Sequence, residues 1–172
     1  MNKLHLLQRF KIHLEQTFPF LKEKKLLLAI SGGVDSMVLF DLFDSLGLNF
    51  SIAHCNFKLR GVSSERDEEF VKQKAEKSNV SFFCKQFDTA DYAAQQNLSV
   101  QMAARELRYD WFSKIVRTNH FDYLITAHHA DDSLETFFIN LSRGTGLAGL
   151  TGIPEHTSQV IRPLLPFNKE DI

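Results

Sequence analysis

Five short apolar segments alternate with segments of helical periodicity along the chain. We predict strands at Leu26 to Ile30, Phe50 to His54, Val80 to Phe87, Tyr123 to Ala127 and Val160 to Leu165. These segments are almost continuously apolar, which is typical of strands that are covered on both sides. Strands that alternate with helices indicate strand–helix–strand units. The pattern predicts an α/β fold with an open, mainly parallel sheet of five strands and helices on both faces.

The segments between the predicted strands have the signals of helices. Met37 to Leu46 is an amphipathic run. The segment after Gly61 has serines as candidate N-caps, acidic residues in its first turn and lysines towards its end, which matches the helix dipole. From Ser99 to about His120, apolar residues recur at helical spacing. These segments supply the helices that cover the sheet.

The composition is that of an ordinary globular domain. The chain has 172 residues, of which 44% are hydrophobic and 24% are charged, so one domain with a substantial core is expected. No apolar stretch reaches the roughly 18 residues that cross a bilayer. The amino-terminal segment is amphipathic and has no signal-peptide core. We expect no membrane association and a cytoplasmic location.

Charge and cysteine content exclude some classes of function. The net charge of −1 argues against binding of nucleic acid by bulk electrostatics, because that affinity comes mainly from lysine and arginine. Any RNA partner would need further contacts from elsewhere. Cys55 and Cys84 are the two cysteines, and each lies in an apolar segment. They suggest buried thiols rather than a disulfide framework or a zinc site.

The motif with the most chemical information is Ser31-Gly32-Gly33-Val34-Asp35-Ser36, between the first strand and the next helix. Glycines let the backbone N–H groups approach an oxyanion, and the start of the helix favours negative charge. Ser31 and Ser36 add hydroxyl donors. The segment has neither the lysine-containing Walker pattern nor the GxGxxG dinucleotide pattern. We predict a phosphate-binding turn; the alternative is an ordinary glycine turn with a polar N-cap.

Three polar segments follow predicted strands and should meet at one edge of the sheet. They are residues 31–36, 54–61 and 128–135. In open parallel sheets the ligand lies beyond the carboxyl ends of the strands, where the strand order reverses. These segments are therefore the candidate functional site.

Residues 126–136 leave a strand and enter a helix, so Asp131 or Asp132 could cap that helix while His128 stays near the strand. A carboxylate beside phosphates is favourable if Mg²⁺ lies between them. Asp35 and Asp132 are the candidate Mg²⁺ ligands. The alternatives are a simple N-cap with a partly buried histidine, or a zinc site that would lack a third ligand.

Further candidates lie on the helix after Ser99 and in two loops. Arg105 and Arg108 are three residues apart and so share a helix face, where they could hold an anion; the alternative is a surface pair bonded to nearby acids. Residues 143–152 form a glycine-rich segment that suggests a mobile substrate loop or a plain helix end and linker. Lys58 and Arg60 could contact RNA, but taken alone they are expected to be solvated.

The Ser31–Ser36 turn resembles the signature of the PP-loop superfamily of ATP pyrophosphatases. The whole set of motifs resembles the tRNA(Ile)-lysidine synthetase family in order and spacing. The motifs are SGGVDS at 31, HCNFKLRG at 54, AARELRY at 103, TAHHADDSLET at 126, RGTGLAGLTGI at 143 and RPLL at 162. The resemblance covers nearly the whole chain. It implies a PP-loop ATP-binding catalytic domain over residues 1–172, with the family's carboxyl-terminal tRNA-binding domains absent from this chain.

The resemblance also implies a reaction and its partners. Cytidine 34 of tRNA(Ile) with a CAU anticodon attacks the α-phosphate of ATP, pyrophosphate leaves, and L-lysine then displaces AMP to give lysidine. The implied cofactors are ATP and Mg²⁺. The oligomeric state stays open, with a homodimer as one alternative.

The resemblance further implies roles for individual residues. The six residues Ser31, Gly32, Gly33, Val34, Asp35 and Ser36 bind ATP; Asp35 and Asp132 bind Mg²⁺ or handle lysine; Arg105 and Arg108 contact the adenylate and the anticodon; and His128 lies on the nucleotide side. How Asp35, Asp131 and Asp132 divide their roles stays open.

Three rival functions share part of these motifs. A PP-loop enzyme that thiolates tRNA would use a Cys-x-x-Cys pair or an iron–sulfur cluster, which Cys55 and Cys84 do not provide. An amidating ligase such as NAD or GMP synthetase leaves the arginine helix and the glycine-rich segment unexplained. A non-catalytic ATP-binding module would bind the nucleotide without turnover.

Overall fold

The computed structural model describes residues 3–144 and 152–172. In these two ranges the strands are β1 (Leu26–Ala29), β2 (Phe50–Asn56), β3 (Phe82–Gln86), β4 (Tyr123–Ile125) and β5 (Val160–Ile161). The helices are α1 (Lys3–Thr17), α2 (Val34–Ser45), α3 (Val62–Lys77), α4 (Thr89–Gln95), α5 (Val100–Thr118) and α6 (Ala130–Ser142), with a 3₁₀ helix at Pro19–Glu23. The predicted alternation of strands and helices is confirmed.

The strands form one open sheet in the order β3-β2-β1-β4-β5, and each neighbouring pair is parallel. β1 is central: Leu26 lies opposite Phe50 of β2 and opposite Tyr123 of β4. The predicted five-stranded parallel sheet is therefore confirmed.

Apolar cores lie on both faces of the sheet. Leu26 and Leu28 of β1 pack in a core with residues of α1, α2 and α3. Leu27, which lies between them, packs in a second core with Phe112 and Ile115 of α5. Successive side chains of a strand point to opposite faces, so a continuously apolar strand serves two cores. The prediction of helices on both faces is confirmed.

Several predicted boundaries were wrong. The strand predicted for Val160 to Leu165 ends at Ile161, because the N–H of Arg162 donates to the carbonyl of Glu155 at 2.9 Å and Pro163 has no N–H to donate. The strand predicted to begin at Val80 begins at Phe82. The N–H of Val80 instead donates to the carbonyl of Ala75 and closes the end of α3. α1 and α4 were not predicted as separate helices.

None of the described helices has the length and apolar character that a membrane span requires.

The order of strands reverses between β1 and β4. The chain leaves β1 towards α2 and β2 on one side, while β4 and β5 lie on the other side. The Ser31–Ser36 turn follows β1, and the segment from Thr126 to Asp132 follows β4. Two of the three predicted polar segments therefore meet where a ligand crevice is expected in this class of sheet.

Candidate functional site

The Ser31–Ser36 turn joins β1 to α2. Gly32 has a φ of +89°, which side-chain-bearing residues rarely adopt, and Gly33 is the N-cap of α2. The first N–H groups of α2 have no acceptor within the helix and lie at the carboxyl edge of β1. Asp35 is in the first turn of α2. The turn thus has the backbone geometry predicted for an anion site.

The two serines of this turn have different environments. Ser36 is buried, and its Oγ donates to the carbonyl of Gly33 at 2.8 Å and accepts from the N–H of Ser31 at 3.2 Å. Ser31 is exposed, and its Oγ lies 3.1 Å from the Oγ of Ser36. The hydroxyl of Ser36 is therefore buried within the turn, whereas Ser31 is exposed, although its Oγ also accepts from the N–H of Gly33 at 3.3 Å.

A cavity of about 310 Å³ opens beside the turn, within the size range of small-ligand sites. Of the predicted site residues, its wall includes Ser31, Gly33, Asp35, Ser36, Arg108, His128 and Asp132. Gly32, Val34 and Arg105 are not among the described residues that form the wall. The side chain of Val34 is 71% exposed. The structure thus brings seven of the ten predicted site residues to one cavity.

Asp35 and Asp132 converge on the imidazole of His129. The Oδ2 atoms of Asp35 and Asp132 lie 3.7 and 3.6 Å from Nε2 of His129. The side chain of His129 is 5% exposed, and those of Asp35 and Asp132 are about one-third exposed. Two carboxylates from different helices therefore face the same buried imidazole.

Asp131 is separated from this arrangement. Its Oδ2 accepts from the N–H of Lys169 at 2.8 Å, and it does not line the described part of the cavity. Asp132 instead accepts from the N–H of His129 at 2.8 Å, three residues before it at the start of α6. The expectation that one of these two aspartates caps the helix is met by Asp132, from the third helical position rather than as the N-cap.

His128 lines the cavity beside the end of β4. Its Nδ1 lies 2.8 Å from Oγ1 of the buried Thr126. Burial lowers the pKa of His128 from its ordinary value, and the positive charge of Arg162 acts in the same direction while Asp132 opposes it. The imidazole is therefore held in its neutral form at neutral pH.

Arg105 and Arg108 contact different aromatic rings. The guanidinium of Arg108 lies 5.2 Å from the centre of the Phe57 ring and lines the cavity. The guanidinium of Arg105 lies 5.0 Å from the centre of the Tyr109 ring. Each cation thus stacks on a different ring, and Arg108 is the one of the two that reaches the wall.

The sequence did not lead us to predict that His129 contacts the two carboxylates. It also did not predict the aromatic wall of the cavity, formed by Phe57, Tyr109 and Phe112. A signal for His129 was present, since it directly precedes α6 and its two aspartates. The adjacent pair His128–His129 does not itself reveal which ring faces the cavity and which is buried. Phe57 had no separate signal within the segment that follows β2.

Two other predicted segments have different outcomes. The glycine-rich segment lies largely in residues 145–151, outside the described residues. Lys58 and Arg60 are exposed, as predicted, and pair with Asp88 and Asp67 at 3.2 and 2.7 Å.

Comparison with known proteins agrees with this geometry. A model of the PP-loop domain matches residues 6–172. The chain belongs to the PP-loop family. A protein of Bacteroides thetaiotaomicron named tRNA(Ile)-lysidine synthase is 45% identical over 165 residues, which cover 96% of this chain and 39% of that protein. A protein of Porphyromonas gingivalis strain W83 with the same name is 42% identical and covers 87% of this chain and 33% of that protein.

This PP-loop chain therefore spans between about a third and two-fifths of the length of these two curated relatives. Among solved structures, the U34-tRNA thiolase NcsA from Methanococcus maripaludis with its [4Fe-4S] cluster superposes with a TM-score of 0.76 at 17% identity. That match covers 96% of this chain and 61% of the thiolase. At this identity the likeness shows a shared fold.

The carboxylates of this PP-loop domain fit a Mg²⁺ ion. Asp35 and Asp132 are hard oxygen donors, are accessible from the cavity and lie next to the anion-binding turn. No group of three or more potential metal ligands occurs within residues 3–144 and 152–172. Mg²⁺ typically uses one or two carboxylates together with phosphate oxygens and water, so two carboxylates suffice.

The cysteines of the PP-loop domain are half-buried free thiols on opposite faces of the sheet. Cys84 is in register with His54, and Cys55 is in register with Lys85. Register partners share a face, so consecutive positions 54 and 55 place Cys84 and Cys55 on different faces. Burial raises the pKa of both thiols to about 12. These thiols are poor nucleophiles and cannot act as a pair.

Proposed function

We propose that the protein containing this chain joins L-lysine to C2 of cytidine 34 of tRNA(Ile) in an ATP-dependent reaction that gives lysidine. The observation that carries this proposal is the 45% identity, over 96% of the chain, to a protein named tRNA(Ile)-lysidine synthase. The cavity beside the Ser31–Ser36 turn supports it, because it combines an anion-binding turn, two carboxylates and a cation. We propose that this chain is the ATP-binding catalytic part of that protein.

In the first step, the C2 carbonyl oxygen of cytidine 34 attacks the α-phosphorus of ATP. A bond forms between that oxygen and phosphorus, and the bond to the bridging oxygen of the β-phosphate breaks, so that pyrophosphate leaves. We assign the pyrophosphate to the free N–H groups at the start of α2 and to the exposed hydroxyl of Ser31. Ser36 supports the turn, since its hydroxyl donates to Gly33. Arg108 faces the nucleotide and stabilises the charge on the reacting phosphoryl group.

In the second step, the neutral ε-amine of lysine attacks C2, and AMP leaves with the former carbonyl oxygen. The new C–N bond replaces the C–O bond, and the nitrogen loses one proton. Carboxylates are needed nearby to select the ammonium form of lysine, to take the proton that it loses to become the attacking amine, and to take the proton that the nitrogen loses as the C–N bond forms. Asp35 and Asp132 are accessible from the cavity for this task. The neutral imidazole of His128 adds no competing positive charge.

Asp35 and Asp132 are also the residues that we propose to hold Mg²⁺. When bound, the ion neutralises the negative charge of the triphosphate and of the leaving pyrophosphate. Without a counter-charge, the two carboxylates would repel the phosphates beside them.

The test uses the full-length protein, because the chain spans only 39% of the relative from Bacteroides thetaiotaomicron. Pyrophosphate and AMP are measured in a single turnover with a tRNA(Ile) transcript. We expect pyrophosphate release to require the transcript but not lysine, and AMP release to require both. A transcript with uridine in place of cytidine 34 is the matched control and should release neither product. Release of orthophosphate, or pyrophosphate release that does not depend on the transcript, would refute the proposal.

The same assay separates the rival functions. Thiolation of tRNA would leave lysine without effect on AMP release, and the separated thiols Cys55 and Cys84 already disfavour it. A binding module would retain ATP without releasing either product.

A further inference from the structure

We propose that His129 is a positioning residue, whose buried imidazole lies between the carboxylates of Asp35 and Asp132 and fixes both for cation binding. This inference rests on the proposed function, in which these two carboxylates hold a cation. Nε2 of His129 lies 3.7 Å from Oδ2 of Asp35 and 3.6 Å from Oδ2 of Asp132. The imidazole is thus the group that lies between side chains from α2 and α6.

The surroundings of the ring determine how it acts on the carboxylates. Both oxygens that face Nε2 are acceptors, so the tautomer that carries a proton on Nε2 presents an N–H to both of them. That N–H presents positive charge to Asp35 and Asp132 together. Without it, Asp132 would keep the backbone N–H of His129 as a donor, whereas Asp35 would face a like charge with no donor from the ring.

The position of the ring is itself fixed by the backbone. The N–H of His129 donates to Asp132 at 2.8 Å, and the next N–H, from Ala130, donates to the carbonyl of Phe167 at 2.8 Å. Only 5% of the His129 side chain is exposed. The ring therefore has little freedom to move. Its fixed Nε2 in turn restricts the position of the Asp35 carboxylate, which belongs to a different helix.

The opposite nitrogen of the ring has no comparable use. Nδ1 is buried and makes no hydrogen bond to the described part of the chain, although Oδ2 of Asp131 lies 3.4 Å away. Burial of a polar atom without a hydrogen bond is costly, so packing alone does not explain why a histidine occupies this position. The retained function of the ring is at Nε2.

Two substitutions separate the two nitrogens. The amide nitrogen of glutamine can reach the position of Nε2, so His129→Gln keeps a donor between Asp35 and Asp132. The shorter asparagine reaches only the position of Nδ1, so His129→Asn removes that donor. His13→Asn is the matched control, because His13 is also shielded and contacts a carboxylate, that of Glu155 at 2.9 Å, away from the cavity.

The experiment measures binding of Mn²⁺ alone to the full-length protein by the loss of the electron paramagnetic resonance signal of free Mn²⁺. We expect His129→Asn to raise the Kd for Mn²⁺ by about 10-fold, the lower end of what loss of a ligand-orienting partner costs. His129→Gln and His13→Asn should keep the wild-type Kd. Circular dichroism and the Tm establish that each variant is folded.

Each outcome decides the matter. A wild-type Kd in folded His129→Asn would overturn the proposal. So would a loss in His129→Gln as large as in His129→Asn, and His129→Gln remains decisive if His129→Asn does not fold. Mn²⁺ binding does not require lysidine formation. If the wild-type protein formed no lysidine but the variants still differed as expected, the proposed function would fail and the role of His129 would stand.

Discussion

Gly32 lies so close to Asp67 that a Cβ atom at position 32 would be 3.3 Å from the Cβ atom of Asp67. The φ of +89° at Gly32 adds a second constraint, because a side chain there strains the backbone. α3 thus packs against the Ser31–Ser36 turn at Gly32, and the shape of the turn depends on a glycine at position 32.

We expect Gly32→Ala to destabilise the protein by about 1–2 kcal/mol and to weaken ATP binding, because the turn must shift to relieve both constraints. Urea denaturation and calorimetric titration with a non-hydrolysable ATP analogue measure the two effects. Gly47→Ala is the control, since Gly47 also has a positive φ, of +64°, but has no atom within 4 Å of an added Cβ. It should lose stability and keep the affinity for the analogue. Unchanged affinity in Gly32→Ala would contradict the assignment of the turn.

Asp35, Asp132 and the neighbouring Asp131 offer a test of which carboxylates take part in the reaction. We expect Asp35→Asn and Asp132→Asn to lower lysine-dependent AMP release by about 100-fold or more, the effect of removing a group that stabilises charge in a reaction. Asp131→Asn should retain activity, because the side chain of Asp131 accepts from the N–H of Lys169 and an amide oxygen can do the same. All three variants keep the shape of the side chain, so the fold is expected to persist.

The measurement is AMP release by the full-length protein with lysine and the tRNA(Ile) transcript. Full activity in Asp35→Asn and Asp132→Asn would remove these residues from the mechanism. Loss of activity in Asp131→Asn would show that Asp131 takes part in the reaction although it does not line the described part of the cavity.

Much of this site could be predicted from the sequence, because it depends on local signals. The apolar segment before Ser31 and the helix after Gly33 indicate a strand–turn–helix unit, and topology then brings Asp35 and Asp132 to one edge. What could not be predicted depends on side-chain direction. Arg105 and Arg108 share a helix face in sequence, yet their guanidinium groups stack on different rings, those of Tyr109 and Phe57. The predicted end of β5 was wrong because the N–H of Arg162 donates to the carbonyl of Glu155. Nothing in the sequence around Glu155 indicates that it would pair with Arg162.

His128 should make stability depend on pH. Burial lowers the pKa of His128 in the folded protein, so the unfolded chain binds a proton at a higher pH than the folded protein does. As the pH falls below the ordinary histidine pKa of about 6.5, the unfolded state gains protons first and the free energy of unfolding decreases. The contribution is present above that pH and is lost below it. Burial lowers the pKa of His54 as well, so two groups act in the same direction.

We expect His128→Asn to lose less stability than the wild-type protein when the pH is lowered from neutral through this window. Asparagine does not titrate, and its amide can still reach the hydroxyl of Thr126, which lies 2.8 Å from Nδ1 in the wild type. Urea denaturation across the pH range provides the measurement. The same pH dependence in both proteins would show that His128 is not the titrating group.

The two arginines of α5 should differ in their effects on the reaction. Arg108 lines the cavity with its guanidinium 5.2 Å from the Phe57 ring centre, so Arg108→Lys loses the stacking and would lose the planar, two-pronged contact to phosphate that we propose. We expect a decrease in kcat/KM of about 100-fold. Arg105 does not itself line the described wall but stacks on Tyr109, which does, so Arg105→Lys is the matched control and should cost less than about 5-fold, because lysine keeps the positive charge.

The measurement is the rate of tRNA-dependent pyrophosphate release at several ATP concentrations. A separate titration with salt distinguishes the two positions further: both arginines are exposed, but the longer-range effect of Arg105 should weaken as ionic strength rises, whereas the direct contact that we propose for the cavity-lining Arg108 should persist. Equal losses in Arg105→Lys and Arg108→Lys would contradict this separation. They would instead support a joint clamp by both arginines, as their spacing on the helix predicts.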